Sequence, residues 1–197
     1  ALVGHASLGA LGLGAILMVA LGTWDDLYDM RPMAKLAGQI AIAALTWAMG
    51  FRVGAIELPF ELLLTSAAPV SFLVTVGWIV IVSNAFNLID GIDGLTAGVS
   101  VITALTVFLL ANQNGATVPV IAALALSGAL AGFLRFNLPP ARIFLGDAGA
   151  LSIGYVTAVL AMASYQKSPA AVALIVPLLV LGLPLLDPIL AVLRRGL

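Results

Sequence analysis

The stretch VSFLVTVGWIVIVSNAFNLIDGIDGL, Val70 to Leu95, reads in two halves. Positions 70–89 are almost continuously apolar and carry no charge, which is the length of a helix that crosses a bilayer. A barrel strand would alternate, and this run does not, so a helix is expected. Asn84 and Asn87 then appear in its last turns, and Asp90 and Asp93 follow, each trailed by a glycine. Carboxylates and amides are costly near a bilayer, so four together point to a site rather than to filler. Their oxygens suit a hard divalent cation such as Mg²⁺. The glycines let backbone approach a ligand closely.

The rest of the chain supports the membrane reading. Of 197 residues, 62% are hydrophobic and 9% charged, and the mean hydropathy is +1.19; soluble domains carry about 25% charged residues. A net charge of −1 without a basic patch argues against a nucleic-acid partner. There are no cysteines, which excludes disulfides and thiolate metal sites, and the single histidine, His5, excludes a histidine-rich centre within these residues. No charged leader with a small-residue cleavage site opens the chain, so no signal peptide is expected.

Seven apolar runs are long enough to span: about 5–24, 36–54, 70–89, 95–112, 117–135, 149–165 and 170–193. The expected fold class is therefore all-α, a polytopic helical membrane bundle forming one domain over 1–197. Residues 55–69, AIELPFELLLTSAAP, read as a re-entrant segment or short hairpin on the outer side. Arg31, Lys35, Arg135, Arg142, Arg194 and Arg195 fall on one side of the spans, against Arg52 and Lys167 on the other. The positive-inside rule assigns the first side to the cytoplasm. Asp25, Asp26, Asp29, Asp90, Asp93 and Asp147 all fall on that same side, so three polar clusters can converge there.

Each cluster has a plainer explanation beside the functional one. In TWDDLYDMRPMAK, Thr23 to Lys35, Asp25 and Asp29 would share a helix face with Asp26 beside them, and such crowding calls for a cation or a lysine; a solvated loop at the end of a span is the alternative. Asn84 and Asn87 face one way on a helix, or cap its C-terminus. In RFNLPPARIFLGDAGALSIGY, Arg135 to Tyr155, Pro139 and Pro140 force a non-helical connection, and Asp147 either serves a site or caps the helix that follows. Arg135 and Arg142 are phosphate ligands or positive-side anchors. Asp187, between Pro184 and Pro188, lines a cavity or satisfies backbone freed by the prolines. Trp24, Trp47 and Trp78 read as interface or packing residues, and His5 as incidental.

DDLYD with Lys35 downstream, NAFNLIDGIDGL, and NLPPARIFLGDAGAL stand in the order and spacing of the polyprenyl-phosphate N-acetylhexosamine-1-phosphate transferases, which this chain resembles over about 10–195. The resemblance implies a membrane enzyme, active at the cytoplasmic face of the bacterial plasma membrane, at the first membrane step of cell-envelope glycan synthesis. It would transfer a sugar-1-phosphate from a UDP-sugar to a polyprenyl phosphate and release UMP. By similarity, Asn87 and Asp147 would hold Mg²⁺, or Mn²⁺ in its place, with Asp26 nearby. Asp25 would act as base toward the lipid phosphate, Lys35 would bind phosphate, and Asp25, Asp26 and Lys35 make up the catalytic set. Asp90, Gly91, Asp93, Asn137 and Phe144 would surround the nucleotide, Phe144 stacking on uracil, with Arg142 supplying further positive charge. Membrane lipids are implied as partners, and a homodimer is a family-level expectation.

GTWDDLYDM and MAKLAGQIAIAA look closer to the UDP-N-acetylglucosamine branch than to the branch using UDP-N-acetylmuramoyl-pentapeptide. Direct displacement is favoured over an aspartyl-phosphate route because a lipid phosphate is already a nucleophile. Members of the family have about ten spans and a His-rich loop after a stretch like DPILAVLRRGL. The expectation is thus a fragment lacking the first spans and that loop. A cation- or proton-coupled transporter is the reading from another class, and it requires carboxylates spread through the membrane depth.

Overall fold

The computed structural model describes residues 8–52, 56–57, 63–64 and 68–164. Six helices form among them: α1 (Leu8–Tyr28), α2 (Pro32–Ala48), α3 (Ala68–Ile89), α4 (Leu95–Gln113), α5 (Thr117–Asn137) and α6 (Gly146–Ser164). Five of the six, all but α2, are long and apolar enough to cross a membrane, each rising about 30 Å at 1.5 Å per residue. The protein is a polytopic helical membrane bundle. The expected run at 36–54 becomes the shorter α2, 17 residues with Pro32 in its first turn and Arg31 just before it in extended conformation. The expected seventh run, with Asp187, lies outside the described residues, as do His5, Lys167, Arg194 and Arg195. Within 55–69, Ile56–Glu57 (β1) and Leu63–Leu64 (β2) pair antiparallel, Ile56 opposite Leu64, so a short hairpin is present.

The element at the centre is α6. It touches α1, α3, α4 and α5, and 56% of its apolar stretch is buried, against 22% for α1 and for α5. Between helices in lipid there is little hydrophobic drive, so close packing of small residues and interhelical hydrogen bonds must hold the bundle. Both occur here. Gly22 of α1 sits where a Cβ would come within 2.5 Å of the Ala148 backbone, and Gly154 of α6 where a Cβ would come within 2.6 Å of Ser83 Cα on α3. The Thr46 and Tyr155 hydroxyls meet at 2.9 Å between α2 and α6, and Trp78 Nε1 donates to the Ala158 carbonyl at 3.1 Å between α3 and α6. Large apolar side chains such as Ile16 and Ile102 point outward, 67% and 68% exposed, as a lipid-facing surface requires.

The tryptophans differ in their surroundings. Trp24 is exposed beside Tyr28 with ring centroids 4.7 Å apart, and Trp47 meets Phe72 edge-on at 5.3 Å. The α1–α2, α3–α4 and α5–α6 connections gather at one end of the bundle, joined by the side-chain contacts described below. At the opposite end, Trp47 Nε1 bonds Ser71 Oγ and Asn114 Nδ2 bonds the Ser164 carbonyl.

Gly154→Val forces the α3 and α6 backbones apart. It is expected to destabilise the full-length protein by about 1–3 kcal/mol or more, read as a lower Tm in detergent. Gly98→Ala, on α4 with nothing within 4 Å of the added carbon, is expected to leave Tm unchanged or raise it. Equal effects of the two substitutions would refute the packing argument.

Candidate active site

Lys35 lies in the first turn of α2, where Pro32 has started the helix, and its ammonium is the hub of the polar end. It pairs with Asp25 Oδ2 of α1 at 2.8 Å and, at closer range still, with Asp147 Oδ2 of α6. Asn87 Oδ1 of α3 stands 3.4 Å away. Asn87 Nδ2 in turn donates to Asp147 Oδ1 at 2.7 Å. Four helices therefore meet around one cation. The Lys35 and Asp25 side chains are only 15% and 13% exposed, so solvent screens this pair far less than it would a surface bridge.

The adjacent carboxylates of α1 part company. Asp25 Oδ1 also accepts from the Met30 backbone amide at 2.7 Å. Asp26 turns to the start of α6, where its two oxygens accept from the Asp147 and Ala148 amides at 2.8 and 3.1 Å. Of the two readings of Asp147, capping does not hold: the cap comes from Asp26 of α1, and the Asp147 side chain is left to face Lys35 and Asn87. Asp29 does not continue the helical face of Asp25. It lies just beyond α1 with φ +48°, a left-handed residue that ends the helix.

Asn84 and Asn87 both reach α2 rather than capping α3. Asn84 exchanges side-chain amide hydrogen bonds with Gln39, one turn below the Lys35–Asn87 contact. Gln39 is fully buried and was not singled out from the sequence. Its spacing of four from Lys35 was the available signal, since such residues share a helix face.

The α3–α4 and α5–α6 connections are latched together. Asp93 Oδ2 accepts from the Ala141 amide at 3.0 Å, and Asn137 Oδ1 from the Gly94 amide at 3.0 Å, where Gly94 has φ +76° at the start of α4. Asn137 Nδ2 donates to the Ile143 carbonyl at 2.9 Å, so both ends of this buried amide are engaged. Asp90 is partly buried between the two groups. Burial pushes its carboxyl above the usual range, and the charges of Asp147 and Asp26 add to that. Gly91, Arg142 and Phe144 stand outside this network; Phe144 is 71% exposed, and the Arg142 guanidinium has no partner among the described residues.

The donor set can be tested against a divalent cation. Asp25, Asn87 and Asp147 each aim an oxygen at the Lys35 ammonium, so a cation position exists. Among the described residues no group of three His, Cys, Asp or Glu side chains forms a metal cage. Mg²⁺ characteristically takes one or two carboxylates and completes its shell with water and substrate phosphate. Asp147 and Asn87 would offer one carboxylate and one amide oxygen to an ion of that kind.

Known proteins are similar to this chain in sequence. The chain is 34% identical over 94% of its length to the probable undecaprenyl-phosphate N-acetylglucosaminyl 1-phosphate transferase of Bacillus subtilis (strain 168), covering 52% of that protein. It is 34% identical over 92% of its length to the decaprenyl-phosphate N-acetylglucosaminephosphotransferase of Mycobacterium tuberculosis (strain CDC 1551 / Oshkosh), covering 50%. The phospho-N-acetylmuramoyl-pentapeptide-transferase of Lactobacillus johnsonii is 43% identical over 64% of this chain and 40% of its own length. The chain thus spans about half the length of these curated relatives. Residues 8–165, which hold every helix described above, match the sequence model of glycosyl transferase family 4, and to that family this chain belongs.

Proposed function

We propose that the protein transfers N-acetylglucosamine-1-phosphate from UDP-N-acetylglucosamine to a polyprenyl phosphate at the cytoplasmic face of the bacterial plasma membrane. The observation that carries this reading is the meeting of Lys35, Asp25, Asn87 and Asp147, drawn from four helices, at one end of an otherwise apolar bundle. Phosphoryl transfer asks a protein mainly for positioning and charge neutralisation, and this cluster is built of such groups.

In the reaction, an oxygen of the lipid phosphate attacks the β-phosphorus of the UDP-sugar. The bond between that phosphorus and the bridging oxygen breaks, and UMP leaves with the electron pair. Lys35 neutralises phosphate charge as the donor and acceptor are brought together. Asp25, fixed by Lys35 and the Met30 amide, accepts a proton from any protonated lipid phosphate. Asp147 and Asn87 would hold Mg²⁺, which when bound withdraws electron density from the diphosphate. Asp90, Gly91, Arg142 and Phe144 take the nucleotide side, with Phe144 offering an exposed ring to uracil. Asp93 and Asn137 shape that side through the latch between the two loops.

The cytoplasmic assignment is supported by charge. Arg31, Lys35, Arg135 and Arg142 belong to the polar end, and among the described residues only Arg52 lies at the other. The donor assignment is supported by the two N-acetylglucosamine-phosphate transferases, whose similarity runs over nine-tenths of the chain. A transporter reading is disfavoured because the described carboxylates of the bundle gather at one end instead of spreading through its depth.

Full-length protein in membranes with Mg²⁺, labelled UDP-N-acetylglucosamine and undecaprenyl phosphate is expected to form lipid-linked label and release UMP. Asp147→Ala and Lys35→Ala are each expected to lower kcat by about 10²–10³-fold. Turnover unaffected by Asp25→Asn, Asn87→Ala and Asp147→Ala would overturn the site assignment. Phe144→Ala is expected to raise KM for the UDP-sugar about tenfold, in line with loss of one base-stacking contact, while KM for the lipid stays put. A change confined to the lipid KM would remove Phe144 from the nucleotide side.

A further inference from the structure

We propose that Asp26 is a positioning residue, acting through Asp147 by fixing the first turn of α6, and that it needs its oxygen there rather than its charge. For its kinetic consequences this rests on the transfer reaction proposed above.

A helix begins with amides that have no partner inside the helix. In α6 the Asp147 and Ala148 amides find theirs in another helix, one on each Asp26 oxygen, at 2.8 and 3.1 Å. Two glycines make the contact possible. Gly22, one turn before Asp26 on α1, brings the helices together so closely that a Cβ would lie 2.5 Å from Ala148 N. Gly146 takes φ +61°, and a Cβ there would lie 2.9 Å from Asp26 Oδ2. With its amide and that of Ala148 held, Asp147 does not cap its own helix, and its carboxylate stays on Lys35 and Asn87.

The tandem pair thereby divides its work. Asp25 has its carboxylate on the Lys35 ammonium, inside the cluster. Asp26 has its carboxylate on two backbone amides, and the Gly146 backbone lies against it. Capping both amides requires two acceptor oxygens; asparagine keeps one of the two that Asp26 offers, and alanine keeps neither. A base or a metal ligand requires the charge or the carboxylate, which asparagine does not supply. The conservative variant separates the two roles.

The test uses full-length enzyme and three variants, Asp26→Ala, Asp26→Asn and Gly146→Ala, with two readouts. The first is hydrogen exchange of the segment 145–152 without substrate, which does not depend on the proposed reaction. Asp26→Ala and Gly146→Ala are expected to speed exchange at the start of α6, and Asp26→Asn, which keeps one of the two acceptors, to fall between wild type and Asp26→Ala. Identical exchange in wild type and Asp26→Ala would overturn the proposal. The second is turnover of UDP-N-acetylglucosamine and undecaprenyl phosphate at varied Mg²⁺. Asp26→Ala and Gly146→Ala are expected to lose about 10–10²-fold in kcat, the scale for a misplaced catalytic group. Asp26→Asn is expected to recover part of that loss, in step with its partial protection of α6, at an unchanged half-saturating Mg²⁺. An Asp26→Asn enzyme whose α6 start is better protected than in Asp26→Ala and yet turns over no faster, or one needing much more Mg²⁺, would overturn the proposal by returning the charge to the chemistry. If wild-type enzyme leaves these substrates untouched, the functional reading fails, and the exchange result still decides the role of Asp26.

Discussion

Asp25 and Asp147 stand far apart in the sequence and meet at one ammonium, that of Lys35. Two carboxylates brought to one place repel, and the lysine ammonium that both contact offsets that repulsion. It also fixes three interfaces at once, because α1, α3 and α6 each present an oxygen to a side chain anchored on α2. The Gln39–Asn84 pair repeats the α2–α3 contact one turn deeper with neutral amides. A polar ladder thus runs from the end of the bundle inward, charged at the top and neutral where the surroundings become apolar. That gradation follows the cost of burying charge.

Such a ladder constrains the packing around it. Helices in lipid are free to slide unless small residues and hydrogen bonds lock their register. Gly22 and Gly154 set α6 against α1 and α3 at near-backbone contact, and Thr46–Tyr155 and Trp78–Ala158 pin α6 to α2 and α3 farther along. The central position of α6 has a functional consequence. The helix that carries Asp147 is the most deeply packed of the spans, so the carboxylate it presents is backed by the whole bundle.

Five of the seven expected spans were legible because hydropathy dictates them, whereas 36–54 became the shorter α2 and 170–193 lies outside the described residues. The convergence of the aspartates was legible because helix parity puts alternate loops on one side. The limits came from side-chain direction. Helix α1 runs to Tyr28, beyond the expected end near residue 24, because Asp25 and Asp26 are stabilised by α2 and α6 and need not lie in a loop. No local signal tells which of Asp26 and Asp147 caps α6, since that depends on how closely Gly22 lets α1 approach. The spacing of Asp25 and Asp29 suggested a shared face, but the left-handed backbone of Asp29 ends the helix first. Gln39 was hidden as one amide in an apolar run, although its spacing from Lys35 could have exposed it. The Asp93–Ala141 and Asn137–Gly94 latches join connections some forty residues apart, and nothing short of the tertiary fold brings them together.

The residues at the polar end fall into two populations whose difference bears on the chemistry. Asp25, Lys35, Asn87 and Asp147 are satisfied by one another, so their geometry exists before anything binds. Gly91, Arg142 and Phe144 lie at the edge, exposed. Preorganised charge lowers a barrier because no reorganisation is required as charge shifts during the reaction. Exposed edge groups suit recognition, where an incoming ligand supplies the missing contacts. A phosphoryl-transfer site needs both, a rigid charged floor under the reacting phosphates and an open rim for the part of the donor that does not react. Between floor and rim lies the latch, with Asp93 and Asn137 tying the rim's loops to each other. Through that latch the position of the open side is set by the same bundle that fixes the closed one.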